Sequence, residues 1–198
     1  MIIGITGGTG SGKSTLLHLI AQQDGLVLDC DAIYHHLLQT DAALLGAIAH
    51  RFPGVVTDNG LDRKKLGAIV FSDESALQEL NRITHTAVKK EILRLLESRP
   101  DLAAIDAIGL FEGELEALCD VTVAIVAPEE DRIRRIMTRD GISEEYARQR
   151  ICAQHNDQWF ISRCDHTLEN NGTAEDFQTK CIAFLNKLGI IKRKSKGE

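Results

Sequence analysis

Apolar positions along the chain follow two periods. Ile2, Ile3 and Ile5 form a short β-branched run, the pattern of a buried strand, and residues 15–23 beyond a glycine stretch are apolar at helical spacing. Asp24 and Gly25 end that helix, residues 26–28 read as a second short strand, and helical patterns cover 32–38 and 41–51. A turn-rich excursion, 52–60, precedes a helical run from 61 to 71. A further helix, about 74–83, leads through Thr84-His85-Thr86 into a longer one over 87–98, with no strand-like segment between 58 and 99. Strands return at 102–105, whose end carries Asp106, and at 121–126. Pro128 opens a helix with Glu129, Glu130 and Asp131 in its first turn, where acids complement the dipole. Residues 141–143 end it, Ser143 can cap another helix running to about 154, and a strand at 166–169 leads to a closing helix at 174–188.

Alternating strands and helices with consecutive helices in their midst predict an α/β fold: a three-layer arrangement with a central parallel sheet, an inserted helical subdomain and a helical lid. The expected boundaries are a core of about 1–57, 100–127 and 163–198, a subdomain of about 58–99 and a lid of about 128–162.

The stretch between the first strand and first helix carries chemistry. Gly7 to Ser14 fits G-x-x-x-x-G-K-[ST] without mismatch, in the strand–loop–helix context that the motif requires. Glycines let the backbone of Gly8, Thr9, Gly10, Ser11 and Gly12 approach a polyphosphate closely and turn N–H groups toward its oxygens. The helix beginning near Lys13 aims its positive end at the same anion; Lys13 reaches the β- and γ-phosphates, Ser14 offers a hydroxyl to Mg²⁺, and Thr15 completes the run. The implied ligand is a nucleotide polyphosphate with Mg²⁺.

Asp29 and Asp31 stand at the exit of the second strand, the end at which open parallel sheets bind ligands. One of them can orient or deprotonate an acceptor hydroxyl while the other supports the metal through water. Asp31 also suits the cap of the following helix, and the two roles are compatible. Arg132, Arg135 and Arg139 recur at helical spacing and share a face, whereas Arg134 points elsewhere. Some should meet phosphate; Arg132 and Arg134 fit equally a solvated face with Glu–Arg pairs. His35 and His36 are adjacent and point apart, with no third ligand at useful spacing, and Trp159 with Phe160 reads as packing.

A net charge of −6 argues against a general nucleic-acid binder, and the one basic cluster, 192–196, reads as a solvated tail. Five cysteines without a C-x-x-C pair suggest reduced thiols in a cytoplasmic protein. No apolar run approaches the ~20 residues of a membrane span, and a core strand at the very start leaves no room for a signal peptide.

Taken in order, these features resemble the dephospho-coenzyme A kinases over nearly the whole chain. The family's G-[LI]-T-G-G-x-G-S-G-K-S-T opening is matched by Gly4 to Thr15, its D-A-D element by Asp29-Cys30-Asp31, and its D-G-x-L-D-R by the run from Asp58 to Arg63. L-x-x-I-x-H-P appears as Leu80 to Thr86, R-x-x-x-R-D as Arg135 to Asp140, and A-D-x-x-I-x-N-x-G as Cys164-Asp165 through Gly172. Thr86 replaces the usual proline, Cys30 the middle alanine, and residues 106–112 stand where the family commonly has P-L-L-[FL]-E. The resemblance implies phosphorylation of the ribose 3′-hydroxyl of dephospho-coenzyme A by ATP, the final step of coenzyme A synthesis, with Asp31, Lys13 and Arg139 as catalytic residues. It further implies that Arg135 neutralises the phosphates, that Asn171 and Gly172 lie near the adenine, and that Asp31, Arg63, His85, Leu110 and Glu112 meet the acceptor. The expected partner is that small molecule alone, met by a monomer or weak homo-oligomer. Two alternatives stay open: another small-metabolite or nucleoside kinase of the same class, and a nucleotide-dependent switch. Against the switch, the chain has no N-K-x-D element to read guanine.

Overall fold

The computed structural model describes residues 1–57 and 60–191, so Asp58, Asn59 and the basic 192–196 cluster lie outside the described residues. In chain order the first elements are β1 (Ile2–Thr6), α1 (Lys13–Ala21), β2 (Leu26–Asp29), α2 (Cys30–Thr40), α3 (Ala42–Arg51), β3 (Val56–Thr57) and β4 (Gly60–Leu61). They continue with α4 (Arg63–Val70), α5 (Glu74–Leu96), β5 (Ala103–Asp106), a 3₁₀ turn (Glu116–Leu118), β6 (Val121–Val126) and α6 (Glu129–Asp140). Last come α7 (Glu144–Cys152), α8 (Asp157–Ile161), β7 (His166–Glu169) and α9 (Ala174–Lys187). The chain divides into two compact units.

The first unit comprises Met1–Leu28, Pro100–Leu110 and the chain from Leu115 on. Its sheet has the order β2-β5-β1-β6-β7, with β1 parallel to β5 and β6, and β6 parallel to β7. Because both faces of a parallel sheet are covered, the middle strands read as nearly unbroken apolar runs. Ile3, Ile5, Ala104, Val123 and Ile125 pack with Leu16 and Ile20 of α1 and with Phe177, Phe184 and Leu185 of α9 in one core. A smaller core of Ile133, Ile136, Ala147 and Ile151 joins α6 to α7. The expected break between those helices is present: Gly141, at φ 65°, ends α6, and Ser143 accepts the Tyr146 N–H to cap α7.

The second unit comprises Asp29–Arg99 and Phe111–Glu114, and in it α2, α3 and α4 pack against α5. Its start at Asp29 departs from the expected boundary near 58, because the buried Leu37, Leu38, Leu44 and Ile48 of α2 and α3 belong to helices packed on α5. The expected break at Thr84-His85-Thr86 is absent, and α5 runs unbroken for 23 residues. Thr84 Oγ1 donates to the Asn81 carbonyl at 3.1 Å and Thr86 Oγ1 to that of Arg82 at 2.7 Å, so both hydroxyls are satisfied inside the helix. Thr84, Val88 and Ile92 also continue one buried stripe at i, i+4 spacing. The expectation of no strand between 58 and 99 is corrected by β4, which pairs antiparallel with β3, Val56 opposite Leu61. Two residues per strand are too few to register as a period-two pattern. No described helix is long and apolar enough to cross a membrane.

Candidate nucleotide-phosphate site

The loop Gly7–Gly12 leaves the carboxyl end of β1 between the ends of two flanking strands: Ile5 is in register with Asp106 of β5, and Thr6 with Ala124 of β6. This is the place in an open α/β sheet at which ligands bind. Gly12, at φ 103°, stands at the N-cap of α1 without any side-chain cap, which leaves the first helical N–H groups for an anion. Close approach demands a glycine at position 7, whereas at Gly8 the space is taken by the tip of the Arg132 side chain. A Cβ on Gly7, at φ 132°, would lie 2.1 Å from the Ile125 carbonyl oxygen, and one on Gly8 would lie 2.1 Å from Arg132 Nη2.

Side chains from the adjoining helix and from distant parts of the first unit grip this loop. Lys13 Nζ donates to the Gly7 carbonyl at 2.9 Å. Arg135 donates to the carbonyls of Gly10 at 3.1 Å and Ser11 at 3.4 Å and to Asn170 Oδ1 at 3.2 Å, while Asn170 Nδ2 donates to the Ser11 carbonyl at 2.8 Å. Arg132, only 4% exposed, donates from Nε to the Thr9 carbonyl at 2.9 Å and from Nη1 to Asp157 at 3.3 Å. The Thr9 N–H donates to Gln154 Oε1 at 2.8 Å. Arg132 is therefore no part of a solvated face, in contrast to that reading of the sequence; Arg134 does make such a pair, with Asp131. Burial pulls the Arg132 guanidinium below its ordinary value against the pull of Asp157, and burial raises Asp157 against Arg132.

The other nucleotide-side residues stand apart from the loop. Arg139 is exposed at the end of α6, bonded to Asp140 at 2.7 and 2.9 Å, and Arg150 shares that carboxylate at 2.6 Å. Asn171 is exposed and bonded to Glu169 and Lys180, and Gly172 packs beside Asp176. It is Asn170, one position earlier and 5% exposed, that reaches the loop. The sequence reading missed Asn170, Gln154 and Asp157. The signal available for Asn170 was its place as the first residue beyond a strand's carboxyl end.

In the second unit, Asp31 is exposed in the first turn of α2. Asp29, not Asp31, is the cap, accepting the Ala32 N–H at 3.0 Å, and the Asp31 carboxylate makes no hydrogen bond among the described residues. Arg63 lines a cavity of about 230 Å³ with Tyr34, His35, Leu61 and Phe71, where burial raises the Tyr34 hydroxyl and Arg63 opposes it. His85 Nδ1–H donates to the Glu112 carbonyl at 3.2 Å, and both residues line a groove of about 420 Å³ with Arg82 and Lys89. Leu110, expected against the acceptor, is fully buried in the first unit with its side chain packed under Gly4, so its role there is core packing.

The chain matches the family model described as dephospho-CoA kinase over residues 1–176. It is 34% identical over 199 residues to a dephospho-CoA kinase of Geobacillus kaustophilus, covering 98% of this chain and 99% of that protein. A crystal structure from Thermus thermophilus superposes with a TM-score of 0.79 at 35% identity, over 95% of this chain and 97% of the other. The Campylobacter jejuni dephospho-CoA kinase, at 24% identity and a TM-score of 0.66 over 94% of this chain and 96% of that one, shares the fold. With the phosphate loop intact and the match running through nearly all of its elements, the chain belongs to the dephospho-CoA kinase family.

Proposed function

We propose that this protein transfers the γ-phosphoryl group of ATP to the ribose 3′-hydroxyl of dephospho-coenzyme A, the last step of coenzyme A synthesis. The observation that carries the reading is the phosphate loop gripped by Lys13 and Arg135 in a chain that matches the family from residue 1 to 176. Gly8 to Thr15 cradle the phosphates, with Lys13 and Arg135 supplying positive charge. Arg139 leaves Asp140 to meet the transferring group, and Asn171 with Gly172 borders the adenine. Arg63, His85 and Glu112 hold the acceptor. Asp31, exposed and relieved of capping by Asp29, orients the 3′-hydroxyl. Its oxygen attacks the γ-phosphorus, the bond from that phosphorus to the β–γ bridging oxygen breaks, the hydroxyl proton passes to the Asp31 carboxylate, and ADP leaves. Such transfer depends on positioning and electrostatics more than on covalent chemistry.

The residues present fit Mg²⁺. The Ser14 hydroxyl makes no hydrogen bond among the described residues, and Asp106 ends the strand next to β1, so both offer hard oxygen donors that would hold the ion. Mg²⁺ keeps several waters and phosphate oxygens as ligands, so these two protein oxygens would be enough to place it. When bound, it neutralises charge on the β- and γ-phosphates. Among the described residues no two cysteines are bridged; we assign the protein to the cytoplasm and its active form to a monomer or weak homo-oligomer.

The test is ADP release from Mg·ATP with dephospho-coenzyme A, adenosine, AMP or no acceptor, the product being weighed by mass spectrometry. Stimulation by dephospho-coenzyme A alone, with the gain of one phosphate, is the expected result. ATP binding without that stimulation would reassign the acceptor to another small hydroxyl compound.

A further inference from the structure

The peptide groups of the phosphate loop are aimed by side chains on the α6–α8 segment. In a trans peptide the carbonyl of one residue and the N–H of the next point opposite ways. The carbonyls of Thr9, Gly10 and Ser11 are all engaged from outside the loop, the first by Arg132 and the other two by Arg135, with Asn170 also on Ser11. Holding the Thr9 carbonyl outward turns the Gly10 N–H to the opposite side, and holding that of Ser11 does the same for Gly12. A flip of either peptide would present an oxygen, not a donor, to a phosphate. Thr9 is held on both sides, its carbonyl by Arg132 and its N–H by Gln154.

Arg132 is an unusual residue to find here if packing were its purpose. It is 4% exposed on a helix whose Ile133 and Ile136 are buried as well, and its partner Asp157 answers it only at 3.3 Å. Nη2 is out of contact with solvent and has no hydrogen-bond partner among the described residues. It lies against the backbone of Gly8, in the space that a Cβ there would take. Burying a guanidinium with one donor group unanswered is unfavourable, and an apolar side chain of the same volume would be the more stable filling. What an apolar side chain could not do is fix the Thr9 peptide.

We infer that Arg132, braced by Asp157 and joined at Thr9 by Gln154, is a positioning residue for ATP that orients the Thr9–Gly10 peptide of the phosphate loop. The inference rests on the nucleotide half of the proposed function and is independent of which acceptor is used. It predicts that loss of Arg132 weakens the nucleotide side and leaves the acceptor side alone.

The experiment compares wild type, the double variant Arg132→Met with Asp157→Asn, Arg132→Lys, and Gln154→Leu. The double variant removes the charge without stranding the carboxylate. Each is titrated calorimetrically with the non-hydrolysable ATP analogue AMP-PNP, checked for folding by thermal melting, and assayed for KM of ATP and of dephospho-coenzyme A. Expected are a folded double variant, a nucleotide Kd raised about tenfold to a hundredfold, as loss of a charged hydrogen bond implies, and an unchanged KM for dephospho-coenzyme A. Arg132→Lys, which keeps the charge but cannot fork between Thr9 and Asp157, should recover part of the affinity. A folded double variant with wild-type nucleotide affinity overturns the inference. Should that variant not fold, Gln154→Leu decides, since it leaves the buried pair in place: a severalfold weaker Kd upholds the inference and an unchanged one overturns it. Wild type is titrated first, because failure to bind the analogue would overturn the nucleotide reading along with it, whereas lack of turnover with dephospho-coenzyme A would touch the acceptor alone.

Discussion

Asp29 and Asp31 stand two positions apart at the start of α2 and differ in what they hold. Asp29 accepts the Ala32 N–H and secures the helix start, whereas Asp31 is exposed and makes no hydrogen bond among the described residues. Replacing Asp31 by Asn should therefore cost stability little, no more than the ~0.3–1 kcal/mol of a charge near a helix N-terminus. It should leave ATP affinity intact and lower kcat by about 10²–10⁴-fold, the range for a lost general base. Steady-state rates set beside a nucleotide titration check this, and unchanged turnover would remove Asp31 from the mechanism. The phosphate loop was legible in the sequence because its signal is local, Gly7 to Ser14 being one contiguous motif. Arg132 and Gln154 were not, since they act on the loop across 123 and 145 residues of chain respectively. No period or spacing reports such a contact.

The helical hairpin of α6 and α7 is linked at one end by Asp140, which accepts from both Arg139 and Arg150. These bonds, that from Arg139 foremost, draw its carboxyl down from 3.8 to about 2. A group whose pKa is lower folded than unfolded adds stability above its unfolded value and loses it as pH falls toward the folded one. The difference in urea midpoint between wild type and Asp140→Asn should thus be present at pH 6, begin to narrow below about pH 4 and close toward pH 2, and it should shrink in high salt because the pair is exposed. A difference that stays constant from pH 6 to pH 3 would show that the link adds nothing. Helix caps at this scale were readable from the sequence, Ser143 and Gly141 among them, since a cap depends on residues within one turn. The continuity of α5 was not, because Thr84 and Thr86 look like breakers until their hydroxyls find carbonyls of the preceding turn.

At the scale of the whole chain, the alternation of strands and helices was enough to foresee the parallel sheet, because buried parallel strands leave unbroken apolar runs. It could not place the start of the second unit at Asp29, since whether α2 and α3 pack on the sheet or on α5 is a choice between two apolar surfaces that a sequence pattern leaves equal. That division yields a test of which ligand belongs to which unit. The residues assigned to the nucleotide phosphates all lie in the first unit, and Asp31, Arg63, His85 and Glu112 in the second. A ligand at about a hundred times its Kd stabilises what it binds by about 2.7 kcal/mol, which slows amide exchange through opening of that region about a hundredfold. The non-hydrolysable ATP analogue alone should therefore protect β1, α1 and the loop between them, and dephospho-coenzyme A alone should protect α2, α4 and α5. Hydrogen exchange read by mass spectrometry distinguishes the cases. Equal protection of both units by either ligand would show that they open as one cooperative body, and protection of the first unit alone by dephospho-coenzyme A would move the acceptor residues out of the second.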